Sequence, residues 1–222
     1  MPKAPKQIDA IIAELERLYP AGEDLCSLEY NKDYELLFSV RLAAQCTDER
    51  VNQVTPALFT RFPTLESLAN ADISEVEQLV HSTGFFRAKA RDIVLCARML
   101  LDKHDGKVPG TMEELLKLPG VGRKTANLML GDVFHIPGVV VADTHCIRIT
   151  GLLGLTDGSK DPTKVEIQLR AVLPPDKSSD FCHRMVLHGR AVCIARRPQC
   201  AQCTLRPWCD HFTKGVGKND EG

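Results

Sequence analysis

The chain has 222 residues, is 44% hydrophobic but only 5% aromatic, carries a formal net charge of −1 and contains nine cysteines. That length suits one large domain or two small ones, no stretch is apolar and long enough to span a membrane, and near-zero charge argues against a globally basic nucleic-acid binder while leaving room for a local basic face. Met1–Lys6 leads into no apolar signal segment, so a reducing compartment is expected, where cysteines serve metals more often than disulfides.

The apolar spacing predicts helices throughout. Ile8, Ile11, Ile12, Leu15 and Leu18 mark the first, closed by Pro20 and Gly22. Leu36, Leu37, Val40 and Ala44 mark a second, and Val51, Val54 and Leu58 a third, ending near Pro63. Val76, Leu79 and Val80 give a short helix broken at Gly84; Ile93, Val94, Ala97, Leu100 and Leu101 give another before Asp105, Gly106 and Pro109. A helix-turn-helix segment follows from Met112 to about Phe134, then Pro137, Gly138 and the apolar run Val139–Val141. Asp143 precedes a helix over Thr144–Leu153. Asp161 and Pro162 read as an N-cap with proline at the first helical position, opening a helix to about Val172. Pro174 and Pro175 break it, and a last helix runs near Asp180–Ala191. No strand pair or repeat is expected, and the tail Lys214–Gly222 reads as disordered.

The densest signal is Leu118-Pro119-Gly120-Val121-Gly122-Arg123-Lys124-Thr125-Ala126-Asn127. Upstream, Thr111 and Glu114 form a capping-box pattern ahead of Leu115, Leu116 and Leu118. The reading is helix, tight glycine turn, helix. Such a turn bares N–H groups at a helix N-terminus, where the macrodipole favours an anion such as phosphate. Lys124 falls in the first turn, where a cation opposes the dipole. That position favours the uncharged amine, a nucleophile able to form Schiff bases. The plain alternative is a solvated surface lysine.

Cys193, Cys200, Cys203 and Cys209 have the spacing C-x6-C-x2-C-x5-C. Four thiolates so close in sequence can close a tetrahedral zinc site or hold a cubane cluster, and the spacing alone does not choose between them. The other five cysteines (Cys26, Cys46, Cys96, Cys146, Cys182) read as small core residues. Arg196 and Arg197 lie in a loop pinned at both ends by ligands, a form suited to clamping phosphate. Acids crowd the first 35 residues, whereas Phe181–Cys209 has none and holds five arginines.

These elements, in their order, resemble the endonuclease III family of helix-hairpin-helix DNA glycosylases from about Pro5 to His211. The resemblance is carried by Ala43-Ala44-Gln45-Cys46-Thr47-Asp48, Thr83-Gly84-Phe85, the Leu118–Asn127 hairpin, Val141-Ala142-Asp143-Thr144-His145 and the cysteine quartet. It implies an all-α fold of two helical lobes: a six-helix barrel lobe over 26–136 with the hairpin, and a cluster lobe combining 1–25 with 137–222, with DNA in the cleft between. It implies a [4Fe–4S] cluster on the quartet, duplex DNA containing oxidised pyrimidines or abasic sites as partner, a monomer, and a bacterial cytoplasmic, nucleoid-associated location. By the same resemblance Lys124 is the nucleophile at C1′ and Asp143 assists it. Gln45 and Phe85 enter the duplex beside the flipped nucleotide. Gly120, Val121 and Gly122 hold phosphate through main-chain N–H, and Asp48 and His145 lie near the base pocket. The family often has leucine where Phe85 stands. The plain alternatives are core packing for Phe85, a solvated polar residue on a helix for Gln45, and an N-cap on the Thr144 helix for Asp143.

Two other readings compete. Among monofunctional relatives in the same superfamily, adenine-mismatch glycosylases use a glutamate in the helix over Phe38–Gln45, where Arg41 stands, and mismatch thymine glycosylases usually replace the lysine, whereas Lys124 is present. A redox-sensing DNA-binding protein would use the quartet and hairpin, but leaves Lys124 and Asp143 without a role.

Overall fold

Side-chain caps and apolar stripes set most helix limits in this computed structural model, which describes residues 3–20 and 25–214. Twelve α-helices are described: α1 (Pro5–Leu18), α2 (Asp33–Leu42), α3 (Asp48–Arg61), α4 (Leu65–Ala69), α5 (Ile73–Val80), α6 (Phe86–His104), α7 (Met112–Leu115), α8 (Arg123–Asp132), α9 (Thr144–Leu153), α10 (Pro162–Val172), α11 (Ser178–Ala191) and α12 (Asp210–Thr213). No strand occurs among the described residues, so the fold is all-α as expected. None of these helices is long and apolar enough to cross a membrane. Thr47, Thr64, Asp72, Thr111, Asp143 and Asp161 cap their helices by accepting backbone N–H groups, which satisfies donors that a helix start leaves unpaired.

The chain divides into two compact units, Cys26–His135 and Met1–Leu25 with Ile136–Gly222. In the first, α6 packs against α2, α4 and α5, while α2 also packs on α3 and α8. Ala90, Ile93, Val94, Ala97 and Leu100 form a fully buried stripe along α6. Its N-cap, Phe85, makes no side-chain cap bond. Packing therefore has to start this helix, and burying each large aliphatic contributes roughly 1.5–3 kcal/mol, more than a missing cap costs.

In the second unit α11 packs against α1 and α9, and α9 against α12. Ile11, Leu15, Ile149, Leu153, Leu169, Phe181 and Met185 fill the core. Arg184, 3% exposed, donates from Nε to the Tyr19 carbonyl at the end of α1 (2.9 Å) and pairs with Asp180 one turn earlier. Gly138 N–H donates to the Pro175 carbonyl (2.7 Å), tying the approach to α9 to the approach to α11.

Several details depart from the periodicity reading. The second helix stops at Leu42 instead of reaching Ala44. Helix α4, opened by a Thr64–Ser67 capping box, and α12 were not expected from apolar spacing because each is too short to show it. Glu114 takes the Thr111 hydroxyl (2.7 Å), so that pair caps α7 without a reciprocal bond to the Thr111 amide being formed among the described contacts. Cys96, Cys146 and Cys182 are buried, but Cys26 and Cys46 are only half-buried. The expected turn at Gly22 and the tail from 215 onward lie outside the described residues.

Gly189 has no side chain where α11 meets α9: a Cβ there would land in the His145 ring and 3.0 Å from Ile149. Gly189→Ala is therefore expected to lower stability by about 1–3 kcal/mol, as overpacking does, read as a shift in the urea midpoint with unchanged slope.

Candidate functional site

The hairpin between α7 and α8 is built as a platform. Gly120 has φ +75°, and a Cβ there would stand 2.7 Å from Arg41 Nε and 2.9 Å from Asp92 Cβ. Both the conformation and the space demand glycine. Beneath it Arg41 of α2 holds Asp92 of α6 through Nε (2.8 Å) and Nη2 (2.7 Å). Pro119 and Val121 pack beside this pair with Leu37, Phe38, Ile93 and Cys96. Gly122 is the opposite case: it caps α8, is exposed, and nothing stands within 4 Å of its virtual Cβ. The Val121 amide donates back to the Leu118 carbonyl (3.2 Å). In α8 the Ala126 amide is the first to reach a helical carbonyl, that of Gly122 (2.9 Å). The amides ahead of it are those that a helix start offers to an anion. Lys124 is the second residue of α8 and is exposed.

Asp143 lies in the other unit, at the end of the buried extended run Val139–Ala142. Its Oδ1 accepts the Cys146 amide (2.7 Å), capping α9. The N-cap reading of this residue is thus real, and it fixes the carboxylate at a half-buried helix end with its second oxygen uninvolved in the cap. His145, in the first turn of α9, is half-buried over Gly189. Asp48 begins α3 in the Cys26–His135 unit and accepts the Ser27 hydroxyl. Burial, aided by Asp132 and Asp48 nearby, pushes the Cys26 thiol up to about 12.

Gln45 and Phe85 are the surprise of the first unit. The periodicity placed Gln45 on a helix; it lies in the turn after α2, exposed, with φ +56°. Phe85, for which core packing was the plain alternative, is 68% exposed and has φ +49°. Among the described non-glycine residues only these two, Asp105 and His135 have positive φ. A bulky aromatic in that region is a genuine outlier, and such strain persists only where the surroundings enforce it. Between the two turns lies a residue that the sequence reading did not single out: Lys89, fully buried on α6. Its one sequence signal was its place on the Ile93–Ala97–Leu100 stripe.

The quartet occupies 193–209 of the second unit, every cysteine half-buried. Two 3₁₀ turns, Cys200–Gln202 and Arg206–Trp208, each end one residue before a cysteine. The Gln199 amide closes the base of the preceding loop on the Val192 carbonyl (2.9 Å), leaving Arg196 and Arg197 exposed at its tip. Arg148 Nη1 reaches Cys193 Sγ (3.3 Å) and Nη2 the Cys193 carbonyl (2.7 Å). His188, 1% exposed, places Nε2 3.5 Å from Cys203 Sγ and Nδ1 3.2 Å from the Tyr19 hydroxyl. Burial, then Arg148, holds its imidazole down to about 4, so it stays neutral. Burial foremost, with the other three cysteines adding, pushes the Cys203 thiol up to about 11. Thiolates gathered this closely call for a positive centre, which deprotonates its ligands. No three such donors converge on a single-ion position among the described residues.

A cavity of about 700 Å³ lies elsewhere, bordered by α9, α10 and α12 and lined by Leu152, Thr156, Gln168 and Asp210 among others. None of the candidate residues above lines it, and its wall is mainly apolar, so it offers no site for this chemistry.

Residues 38–175 match the family described as HhH-GPD superfamily base excision DNA repair protein. Endonuclease III of Synechocystis sp. is 48% identical over 199 residues, covering 90% of each chain. Endonuclease III of Bacillus subtilis is 36% identical over 204 residues, covering 92% of each. The solved structure of a trapped endonuclease III–DNA covalent intermediate superposes with TM-score 0.87 at 38% identity, covering 96% of this chain and 99% of that one.

The two hairpin glycines should respond differently to alanine. Gly120→Ala meets both a left-handed backbone and the Arg41–Asp92 pair and is expected to cost about 2–4 kcal/mol. Gly122→Ala enters open space and should stay within about 1 kcal/mol. Chemical denaturation of the two variants side by side checks the difference.

Proposed function

Because the chain belongs to the HhH-GPD superfamily of base excision DNA repair proteins, in its endonuclease III family, we propose that it is a bifunctional DNA glycosylase and AP lyase. Its substrate is duplex DNA carrying oxidised pyrimidines or abasic sites. The observation that carries this reading is Lys124, exposed in the first turn of α8 directly behind a glycine platform for phosphate. The covalent capture of the solved relative on DNA supports a nucleophile in the protein.

Lys124 attacks C1′ of the damaged nucleoside through its uncharged amine. A C1′–N bond to the lysine forms as the glycosidic bond breaks, and the base leaves with a proton. The sugar ring opens to the Schiff base. Loss of a proton from C2′ then expels the 3′ phosphate by β-elimination. Asp143 stabilises the positive charge that develops on the sugar and relays protons; its cap bond holds the carboxylate still while leaving an oxygen for this work. Lys124 and Asp143 belong to different units. Docked DNA excludes water around the amine, which the exposed residue otherwise lacks.

Gly120 and Gly122 bring the phosphate close, received by amides opening α8. Val121 shapes the turn more than it donates, its amide being engaged with Leu118. Gln45 and Phe85 fill the space left by the extruded base, and Asp48 and His145 border the pocket. Arg196 and Arg197 contact backbone phosphate. Cys193, Cys200, Cys203 and Cys209 would hold a [4Fe–4S] cluster, with Arg148 donating to the Cys193 sulfur and His188 Nε2 beside the Cys203 sulfur. When bound, that cluster supplies a rigid frame for the loop bearing the arginines. The protein acts as a monomer in the bacterial cytoplasm, at the nucleoid.

Borohydride reduction on a duplex with one thymine glycol tests the chemistry. Wild-type protein should form a permanent cross-link, Lys124→Ala none, and Asp143→Asn, which keeps an oxygen for the cap, should cross-link far more slowly. Strand cutting by Lys124→Ala at the wild-type rate would sink the mechanism. For the basic loop, replacing Arg196 and Arg197 together by alanine should flatten the slope of log Kobs against log[salt] by about 0.9 for each lost phosphate contact, measured by fluorescence anisotropy.

A further inference from the structure

Lys89 is 0% exposed, on the fourth residue of α6. Its Nζ donates to the Leu42 carbonyl (2.7 Å) and to the Thr83 carbonyl (2.7 Å). Those acceptors are not arbitrary. Leu42 is the last residue of α2 and Thr83 the last of the 3₁₀ turn His81–Thr83, so both are carbonyls that a helix end leaves without an amide. Helix C-termini also carry the negative end of the dipole, which favours a cation. Against this, the ammonium sits in the first turn of α6, where its own helix opposes it. Burial pushes its pKa below the ordinary lysine value; Cys46 opposes that shift and Arg41 adds to it. A lysine kept in such a place is held by what it joins.

What it joins is two turns. Three residues beyond Leu42 is Gln45, with φ +56°; two residues beyond Thr83 is Phe85, with φ +49° and 68% exposed. The Cys46 amide closes the Gln45 turn on the Ala43 carbonyl (3.0 Å), and the rest of each turn is weakly held. The Ala44 and Gly84 amides reach Arg41 and His81 carbonyls at 3.4 Å, the long limit of a hydrogen bond. A Cβ on Gly84 would meet nothing within 4 Å, so nothing packs on the turn at that residue, although the His81 and Phe86 rings on either side of it meet at 4.4 Å between centroids. Thr83 is anchored from below, its hydroxyl donating to the Val80 carbonyl (2.8 Å).

We infer that Lys89 is a positioning residue that clamps the Gln45 turn to the Phe85 turn, so that the two residues enter the duplex as one preset wedge. The inference rests on the reading that Gln45 and Phe85 fill the space of the extruded base. Without the clamp, each turn would relax toward ordinary backbone angles, and ordering both would fall on the DNA complex. Lys89 touches no DNA in this scheme. It acts on base extrusion and leaves phosphate contacts alone.

The test is a set of variants on two duplexes, undamaged and carrying one thymine glycol opposite 2-aminopurine, whose fluorescence reports unstacking. Gln45→Ala and Phe85→Ala should each lower lesion-duplex affinity about tenfold, since each removes a share of the few kcal/mol that offset unstacking. Because they act as one element, the double variant should lose clearly less than the product of the two. Lys89→Met, matched in length but without a donor, should lose about tenfold on the lesion duplex, show a weaker 2-aminopurine rise, and bind undamaged duplex as wild type does. In the Lys89→Met background the two wedge substitutions should become independent. Lys89→Gln, which keeps an N–H donor, should recover part of the loss. A wild-type response from a folded Lys89→Met, with both wedge variants impaired, overturns the clamp and leaves the wedge standing. Wild-type affinity in both wedge variants overturns the wedge, and the clamp with it. Should Lys89→Met lose its helical circular dichroism, the cycle in the wild-type background decides: independent effects overturn the clamp, coupled effects support it.

Discussion

A helix leaves N–H groups unpaired where it opens and carbonyls unpaired where it closes, and this protein builds its chemistry on those ends. Asp143 satisfies the opening of α9 and in doing so becomes a fixed, half-buried carboxylate. The opening of α8 has glycine as its cap and no side-chain acceptor, so its amides face outward from an exposed turn. The closings of α2 and of the His81–Thr83 turn share one buried ammonium, Lys89. Capped, uncapped and cross-capped ends thus leave three different things: a carboxylate held still, a helix opening without a side-chain cap, and two turns joined through one buried side chain.

The same constraint explains why the strain is tolerable. Left-handed backbone at a non-glycine residue costs roughly 1–2 kcal/mol, and both Gln45 and Phe85 adopt it. The cost falls on residues immediately beside a fully buried clamp and the α6 core stripe, where rearrangement would strand two carbonyls and a charge. An unpaired buried charge is costlier than either strained residue. The loops are therefore tied to the interior as well as closed by their own contacts, while Gln45 and Phe85 stay exposed.

How legible all this was depends on how local each cause is. The cap at Asp143, the Asp161–Pro162 opening of α10 and the glycine hairpin are each set by residues within one turn of chain, and the sequence reading placed them correctly in structure. Helix α9 was expected over the residues it occupies, Thr144–Leu153. The end of α2 was misjudged because its cap comes from a residue 47 positions away. The exposure of Phe85 was undecided for a related reason: an aromatic beside Gly84 reads equally as core or surface until the fold shows which way α6 begins. Lys89 escaped notice because a lysine on a helix is ordinarily solvated. Arg41 was noted only as standing where a mismatch glycosylase has glutamate; its ion pair with Asp92 under Gly120 joins residues 51 positions apart, which no local pattern shows.

Near-neutral charge also has a physical account. Many acids are consumed within the protein: Glu14 by Arg17, Glu75 by Arg61, Asp92 by Arg41, Glu16 by Lys177, and Asp210 by Lys3 and Lys214. At physiological salt a charge acts over about 8 Å, so a paired acid does little to a phosphate farther away than that. The local surroundings differ from that sum: Arg196 and Arg197 stand exposed at the tip of a loop with no acid between Phe181 and Cys209. A sum over the whole chain averages these patches with acids that are already engaged, which is why a net charge of −1 is a poor guide to what its surface can bind.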